Sequence, residues 1–391
     1  MLDRREVIAG ATATLAAGDV GLASSAAPAG PWQKAAPTDA GLTADLAPRL
    51  DRLIADKRVW GLHGVLVVRH RRIALERYFE AEDNNWGQSL GLVRFGPDTL
   101  HNLYSATKSI VALLYGIALA DGKVPPPNAP LYAQFPEYQD LVAADERRRQ
   151  QTIGHALSMS LGTRWNEIGL AYDSPDNDEI GMEMAEDRYR FVLERPVIGP
   201  PGKRWQYSGG ATALLGRLIA KGTGRSLPDY ARTALFDPLG IGRTEWITSS
   251  ETWVGRQRGS ADGEPVAASG LRMTLHDLAR IGQLVMDDGK VGARQVVPAD
   301  WLTECFVPRV SVNELQRYGY QWYLGDMEFR AGDKVHLEHW VGAAGNGGQR
   351  LYVMPDLDLI VVVMAGNYSA PDQWMPPIRV VREAVLPSLL M

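Results

Sequence analysis

Residues 105–120 read SATKSIVALLYGIALA. From Ile110 to Ala120 the stretch is apolar on every side of a 3.6-residue turn, so it predicts a helix enclosed by the rest of the chain. Asp121-Gly122 and then VPPPNAP (124–130) stop it, because proline lacks an amide donor and clashes with the preceding turn. A helix buried on all sides needs structure on all sides. The 391 residues suffice for one large domain or two to three ordinary ones. The awkward residue is Lys108, at the entrance to this helix. Burying an ammonium group is costly unless it has a partner. Ser105 lies three residues earlier, on the same helical face, and can be that partner.

The pair has a chemical reading. A serine hydroxyl is a weak nucleophile at neutral pH and needs a base beside it. An amine stripped of water loses basicity and can accept or relay that proton. A helix N-terminus adds backbone N–H groups that favour negative charge developing on a substrate oxygen. Taken alone, the spacing recurs in many helices as a capping serine and a surface lysine, but apolar surroundings do not suit a surface lysine. Tyr207, in PGKRWQYSGGATALLG, is either a packing residue at a turn or a general base whose phenolate form a nearby lysine favours. The run Gly345-Asn346-Gly347-Gly348-Gln349 is either a plain glycine turn or a place where substrate approaches backbone closely. In the second case a backbone N–H there completes an oxyanion hole with that of Ser105.

Composition removes other classes. The chain is 45% hydrophobic and 22% charged, with net charge −5, as in ordinary globular proteins. The basic runs RHRR (69–72) and ERRR (146–149) are short and read as solvated surface, so no nucleic-acid partner is expected. Cys305 is the sole cysteine, which rules out an internal disulfide and a cysteine-based metal site. His336 and His339 face opposite sides at strand spacing, and no HExxH occurs, so no metal and no cofactor is expected. No segment has the ~18–20 uninterrupted apolar residues of a membrane span. The N-terminus MLDRREVIAGATATLAAG pairs Arg4 and Arg5 ahead of a weakly apolar stretch, with small residues at 23–29, although Asp19 interrupts it. It resembles a twin-arginine export signal over residues 1–29, and a periplasmic or secreted location follows from it.

Along the chain, Leu46, Leu50, Leu53 and Ile54 make a helical stripe after an irregular lead-in (30–44). VLVV and IALERYF flank a charged tip and read as a hairpin; residues 81–100 read as a polar loop. Helices are predicted after Thr152, Ser226 and Thr274, each an N-cap, and over YSGGATALLGRLIAKGTG. The end is strand-rich: GYQWYLG, VHLEHWVG, GQRLYVMP and DLIVVVMAGN. Strands at both chain ends with helices between them predict one sheet domain (45–120 with 250–391) and a mainly helical insertion (121–249).

In this order and spacing, the motifs resemble the serine beta-lactamase and penicillin-recognising superfamily, in its class C-like branch of esterases, D-aminopeptidases and amide hydrolases. TIGHALSMSLG, PGKRWQYSGG, LFDPLGIGRTEW, GLRMTLHDLARIG and MPDLDLIVVVMAGN carry the resemblance over about 45–370. It implies an α/β sandwich of the beta-lactamase type: a mostly antiparallel sheet flanked by helices, with a helical insertion and the site in the cleft between. It implies Ser105 as the acylated nucleophile, Lys108 as its proton partner, Tyr207 as general base, and the N–H groups of Ser105 and Gln349 as oxyanion donors. Asn346, Gly347 and Gly348 would border the substrate.

Two positions depart from the lactamase pattern. Gly209 stands where an asparagine follows the tyrosine, and Asn346-Gly347-Gly348 stand where Lys-Thr-Gly is usual. The first loss removes a donor to an acylamino group and the second a fixed charge for a penicillin carboxylate, although strand alternation leaves open whether Arg350 restores one. Both losses favour an esterase or amidase over a beta-lactamase or D-peptide hydrolase. A weaker resemblance to nylon-oligomer hydrolases rests on HNLYSATKS, the WNE at 165–167, GNGGQ, and Tyr172 followed by DSPDNDE. It implies that Tyr172 and one of Asp176, Asp178 or Glu183 contact a substrate amide and amine, if this loop is more than a solvated connection. The expected partner is thus a small ester, amide or short oligomer. The rival class is a non-catalytic binding protein of the same fold, which the joint presence of Ser105, Lys108 and Tyr207 disfavours. Oligomeric state is not legible.

Overall fold

The computed structural model describes residues 32–172, 174–258 and 263–390; the Arg4-Arg5 segment lies outside them. Nine strands form the main sheet: β1 (Gln33–Lys34), β2 (Leu62–Arg69), β3 (Arg72–Tyr78), β4 (Val310–Ser311), β5 (Gln316–Tyr318), β6 (Tyr323–Ala331), β7 (Lys334–Gly345), β8 (Gln349–Met354) and β9 (Leu359–Ala365). Their spatial order is β1-β3-β2-β9-β8-β7-β6-β5-β4. Neighbours are antiparallel except β1 with β3. The two ends of the chain meet in the middle of the sheet, where Val65 pairs with Val363 and Val67 with Val361.

Both faces of this sheet are covered. Side chains alternate along a strand, so Leu66, Val68, Ile360 and Val362 enter one core while Val65, Val67, Val361 and Val363 enter the other. That is why VLVV and LIVVV can be apolar without a break. Five helices frame the site and the cores: α1 (Leu46–Ala55), α2 (Thr107–Ala120), α3 (Asp178–Met184), α4 (Gly209–Thr223) and α5 (Leu275–Met286). α2 and α5 fill the first core; α1 and residues 375–388 close the second. Leu46, Leu50 and Leu53 are the buried stripe of α1, each contributing about 1.5–3 kcal/mol by leaving water. α4 packs on α2 and joins the helical segment between the chain ends to the sheet.

Local signals act as expected. The hydroxyls of Thr152, Ser226 and Thr274 accept the N–H groups of His155, Asp229 and Asp277. The tip of the β2–β3 hairpin is His70-Arg71, with φ of 51° and 57°, the backbone that a two-residue turn of matching twist requires. Three expectations need correction. Residues 81–100 are not simply a loop: Glu80–Asn85 and Gln88–Arg94 pair as a hairpin tipped by Trp86-Gly87. Its strands are mostly polar, and Leu90 and Leu92 stay exposed, so no buried apolar face marks it in the sequence. Ser105 precedes α2 in a 3₁₀ turn, Tyr104–Ala106, rather than lying on the helix. The lead-in contains β1, aligned beside β3. Among the described residues, no helix is long and apolar enough to cross a membrane.

One ion cluster ties the sheet edge to α5. Glu76 meets Lys34 at 2.7 Å and His276 at 2.8 Å, and accepts the Tyr78 hydroxyl at 2.8 Å. Burial alone would raise its pKa, but the hydrogen bonds from Lys34, His276 and Tyr78 and the charge of His276 outweigh it and hold Glu76 at about 2. A depressed carboxylate pKa stabilises the fold above the unfolded value, and that stability is lost as pH falls through the folded value. Glu76→Gln is therefore expected to flatten the fall in thermal midpoint between about pH 4.5 and pH 2, read by thermal unfolding in acid.

Candidate active site

Tyr104, immediately before the nucleophile candidate, has φ of 46°, a left-handed backbone that costs a bulky residue energy. Its ring is held between Trp86 and Tyr368, with centroids 5.3 and 5.4 Å away. The turn is pinned further: the Leu103 N–H donates to Leu271 O at 2.9 Å, and the Leu271 N–H donates to Thr107 Oγ1 at 3.2 Å. Strand Leu271–Met273 thereby fixes where Ser105 stands.

Lys108 is 2% exposed. Its Nζ donates to Ser105 Oγ at 3.0 Å and to Ala268 O at 3.0 Å, and lies 4.8 Å from the centre of the Tyr207 ring. Tyr207 comes from the helical insertion, one residue before Ser208, whose hydroxyl caps α4 by accepting the Ala211 N–H. The three residues read from sequence are therefore gathered at one point. The expectation of a favoured phenolate does not hold. Burial and then the charge of Glu167 push the Tyr207 pKa well up, against a smaller pull from the Ser105 hydroxyl and Arg350. Tyr207 rests as a phenol.

Ser105 opens onto a cavity of about 350 Å³, lined also by Trp86, Tyr104, Tyr172, Asn346 and Tyr368. Three carboxyl groups line it as well: Glu167, Glu179 and Glu183. Of the acidic candidates from the sequence, Glu183 is at the cavity, 3.6 Å from Arg188. Asp178 instead accepts the Asn166 N–H at 2.6 Å and pairs with Arg195 at 3.2 Å, and Asp176 does not line the cavity. Glu167 and Glu179 were not singled out. For Glu179 a signal existed, since residues 179 and 183 share a helical face. Glu167 carried none beyond its place in WNE.

Glu167 organises the wall. Its Oε2 accepts the Trp165 Nε1–H and the Gly209 N–H, both at 2.8 Å, and its Oε1 accepts the Tyr172 hydroxyl at 3.1 Å. Burial, with the Glu167 charge next, raises the Tyr172 pKa well above the usual range, so this hydroxyl stays a donor.

The glycine turn contributes less than expected to the cavity. Asn346 lines it, with its Oδ1 accepting the Ser369 N–H at 2.8 Å. Gly347 and Gly348, at φ of 89° and 101°, make the turn itself and are not among the lining residues. Gln349 opens β8; its side chain is buried against Asn346 O and Ala365 O, away from that lining. Arg350 donates from Nη1 to Gly345 O at 2.9 Å and to Gln349 O at 2.8 Å and is not among the lining residues, although its charge acts on Tyr207. His101 is 3% exposed and packs beside His63; burial, then the charges of His63 and Arg272, bring it down to about 3. Among the described residues, no group of three or more His, Cys, Asp or Glu side chains is placed to hold a metal ion.

A two-faced sheet carrying a serine, a buried lysine and a tyrosine from an inserted helical segment defines a class, and comparison gives its family. Residues 50–374 match the model of the beta-lactamase family, and the chain belongs to that family. It is 24% identical over 297 residues to the 6-aminohexanoate-dimer hydrolase of Paenarthrobacter ureafaciens, covering 71% of this chain and 69% of that one. Among solved structures, EstCE1, a hydrolase with promiscuous acyltransferase activity, matches with a TM-score of 0.66 at 16% identity, over 86% of this chain and 98% of its own. The octameric penicillin-binding protein homologue from Pyrococcus abyssi matches with a TM-score of 0.59 at 18% identity, over 86% and 76%. At these identities the structural matches speak for the fold.

Proposed function

We propose that the protein is a serine hydrolase of small carboxylic esters or amides, working through an acyl-enzyme on Ser105. The observation that carries this is the Lys108 Nζ held 3.0 Å from Ser105 Oγ at the base of an open cavity. In the first step Ser105 Oγ bonds to the substrate carbonyl carbon and its proton passes to Lys108 as the free amine. Tyr207, a phenol at rest, gives its proton to the departing alcohol or amine and is recharged from Lys108. In the second step water attacks the acyl carbon, its proton enters the Tyr207–Lys108 pair, and the Ser105 oxygen leaves with a proton from the same pair. The backbone N–H groups of Ser105 and Gln349 are the proposed oxyanion donors.

Two features support an ester or amide over a penicillin. The Lys-Thr-Gly lysine is absent, and no lysine or arginine is among the described residues lining the cavity, so an anionic substrate group finds no cationic partner there. The likeness to a 6-aminohexanoate-dimer hydrolase agrees with an amide whose far end is an amine, for which Glu183 and Tyr172 are the proposed contacts. The test is turnover of p-nitrophenyl esters of several chain lengths, linear aminohexanoate oligomers and a chromogenic cephalosporin. Ester or oligomer hydrolysis with slow cephalosporin turnover is expected. Fast cephalosporin turnover would move the reading to beta-lactamase, and no turnover with any of them would favour a binding protein.

A further inference from the structure

Position 209, two residues after Tyr207, has no side chain, and the space that one would fill is taken. A Cβ built on Gly209 would lie 1.7 Å from Glu179 Oε2 and 2.8 Å from Oε1. Glu179 thus reaches from α3 under the first turn of α4, about as near to the Ser105–Tyr207 chemistry as a side chain at 209 would be. It lines the cavity and is 6% exposed. Its Oε2 is sheltered from solvent and has no hydrogen-bond partner among the described residues.

That is a poor setting for an anion. A buried carboxylate oxygen with no donor is costly, and the neighbouring carboxyl receives the donors instead: Trp165, Tyr172 and Gly209 all donate to Glu167. Burial first, then the charge of Glu167, raises the Glu179 pKa well above the carboxylate range; Glu183 adds to this, while Lys108 and Arg188 oppose it. Glu167 with its three donors and Glu179 with none at Oε2 among the described residues are adjacent carboxyl groups in unlike settings. An acid with its carbonyl oxygen tucked under Gly209 has its O–H free to point into the cavity.

We propose that Glu179 is a specificity-determining residue that enters the site as an uncharged carboxylic acid and donates a hydrogen bond to an acceptor on the substrate beside the scissile bond. The preferred substrates then carry a carbonyl or ether oxygen close to the reacting carbonyl. The proposal rests on the reading of Ser105 as the acylated residue.

The test uses two matched pairs of esters. One pair differs on the acyl side: p-nitrophenyl N-acetylglycinate against p-nitrophenyl pentanoate. The other differs on the alcohol side: the pentanoates of 2-methoxyethanol and of butanol. Glu179→Ala is expected to lower kcat/KM about 30-fold for the oxygen-bearing member of at least one pair, and less than about threefold for its plain partner. Glu179→Gln, which keeps a donor without a charge, is expected to lose clearly less than Glu179→Ala. Equal losses on all four esters would reduce Glu179 to a packing role and overturn the proposal. So would a Glu179→Gln variant as impaired as Glu179→Ala, because a negative charge would then be what the site uses. If the wild type turns over no ester, the hydrolase reading fails first. Glu179 is still read by infrared spectroscopy at pH 7, where the carbonyl stretch of a protonated carboxyl is expected in the wild type and absent from Glu179→Gln. No difference between the two spectra would overturn the proposal without any turnover.

Discussion

Ser105→Ala is expected to lower ester and amide turnover by about four orders of magnitude or more while leaving thermal unfolding nearly unchanged. The reason is the division of labour around Oγ. The hydroxyl forms the bond to substrate, yet for the fold it supplies one acceptor to Lys108, which keeps Ala268 O as a second. Lys108→Met is expected to be about as inactive, because it removes the amine that stands 3.0 Å from Ser105 Oγ to take its proton. Its stability is expected to lie within about 1–2 kcal/mol of the wild type: a methionine fills similar volume in the apolar surroundings of α2 without a polar head to bury, which offsets the donor that Ala268 O loses. Initial rates with a p-nitrophenyl ester, together with melting curves, check both variants. A Ser105→Ala protein with more than a few per cent of wild-type activity would remove Ser105 from the chemistry.

Glu167→Ala is expected to act mainly through stability. The substitution strips an acceptor from three buried donors at once: the Trp165 indole, the Gly209 amide at the start of α4, and the Tyr172 hydroxyl. A buried polar group left without a partner costs about 1–3 kcal/mol, so a total loss of about 3–5 kcal/mol is expected. Activity should fall as well, since Tyr207, the proposed proton carrier, stands two residues before α4 and Tyr172 lines the cavity. Glu167→Gln, which keeps a carbonyl oxygen, should lose roughly half as much. Chemical denaturation of the three proteins measures this. A Glu167→Ala loss below about 1 kcal/mol would mean that water replaces the carboxylate without strain.

The parts of this site that the sequence made legible are those carried by short-range rules. Ser105 and Lys108 are visible because a charged residue beside an apolar run needs an explanation within a turn of helix. The strands of the sheet centre are visible because burial on both faces writes an unbroken apolar run. The caps at Thr152, Ser226 and Thr274 are visible because a single hydroxyl performs them. What stayed hidden depends on pairs far apart in the chain. Gly209 reads as a missing asparagine until Glu179, thirty residues earlier, is seen filling its space. The hairpin at Glu80–Asn85 and Gln88–Arg94 is held by backbone pairing, which leaves little trace in residue type. Arg350 looked able to supply charge to substrate, and its two bonds to backbone carbonyls could not be read from alternation alone. The environment of Tyr207 is hidden for the same reason: burial and the charge of Glu167, forty residues earlier, raise its pKa, and neither is written beside it in the sequence.

The central claim is that a covalent acyl group forms on Ser105. Intact-mass measurement after brief mixing with a p-nitrophenyl ester, acid quench and peptide mapping tests it directly. A mass increase equal to the acyl group, mapped to the peptide containing Ser105 and absent from Ser105→Ala, is expected. Hydrolysis that proceeds equally in Ser105→Ala, or an acyl group mapped to another residue, would contradict it.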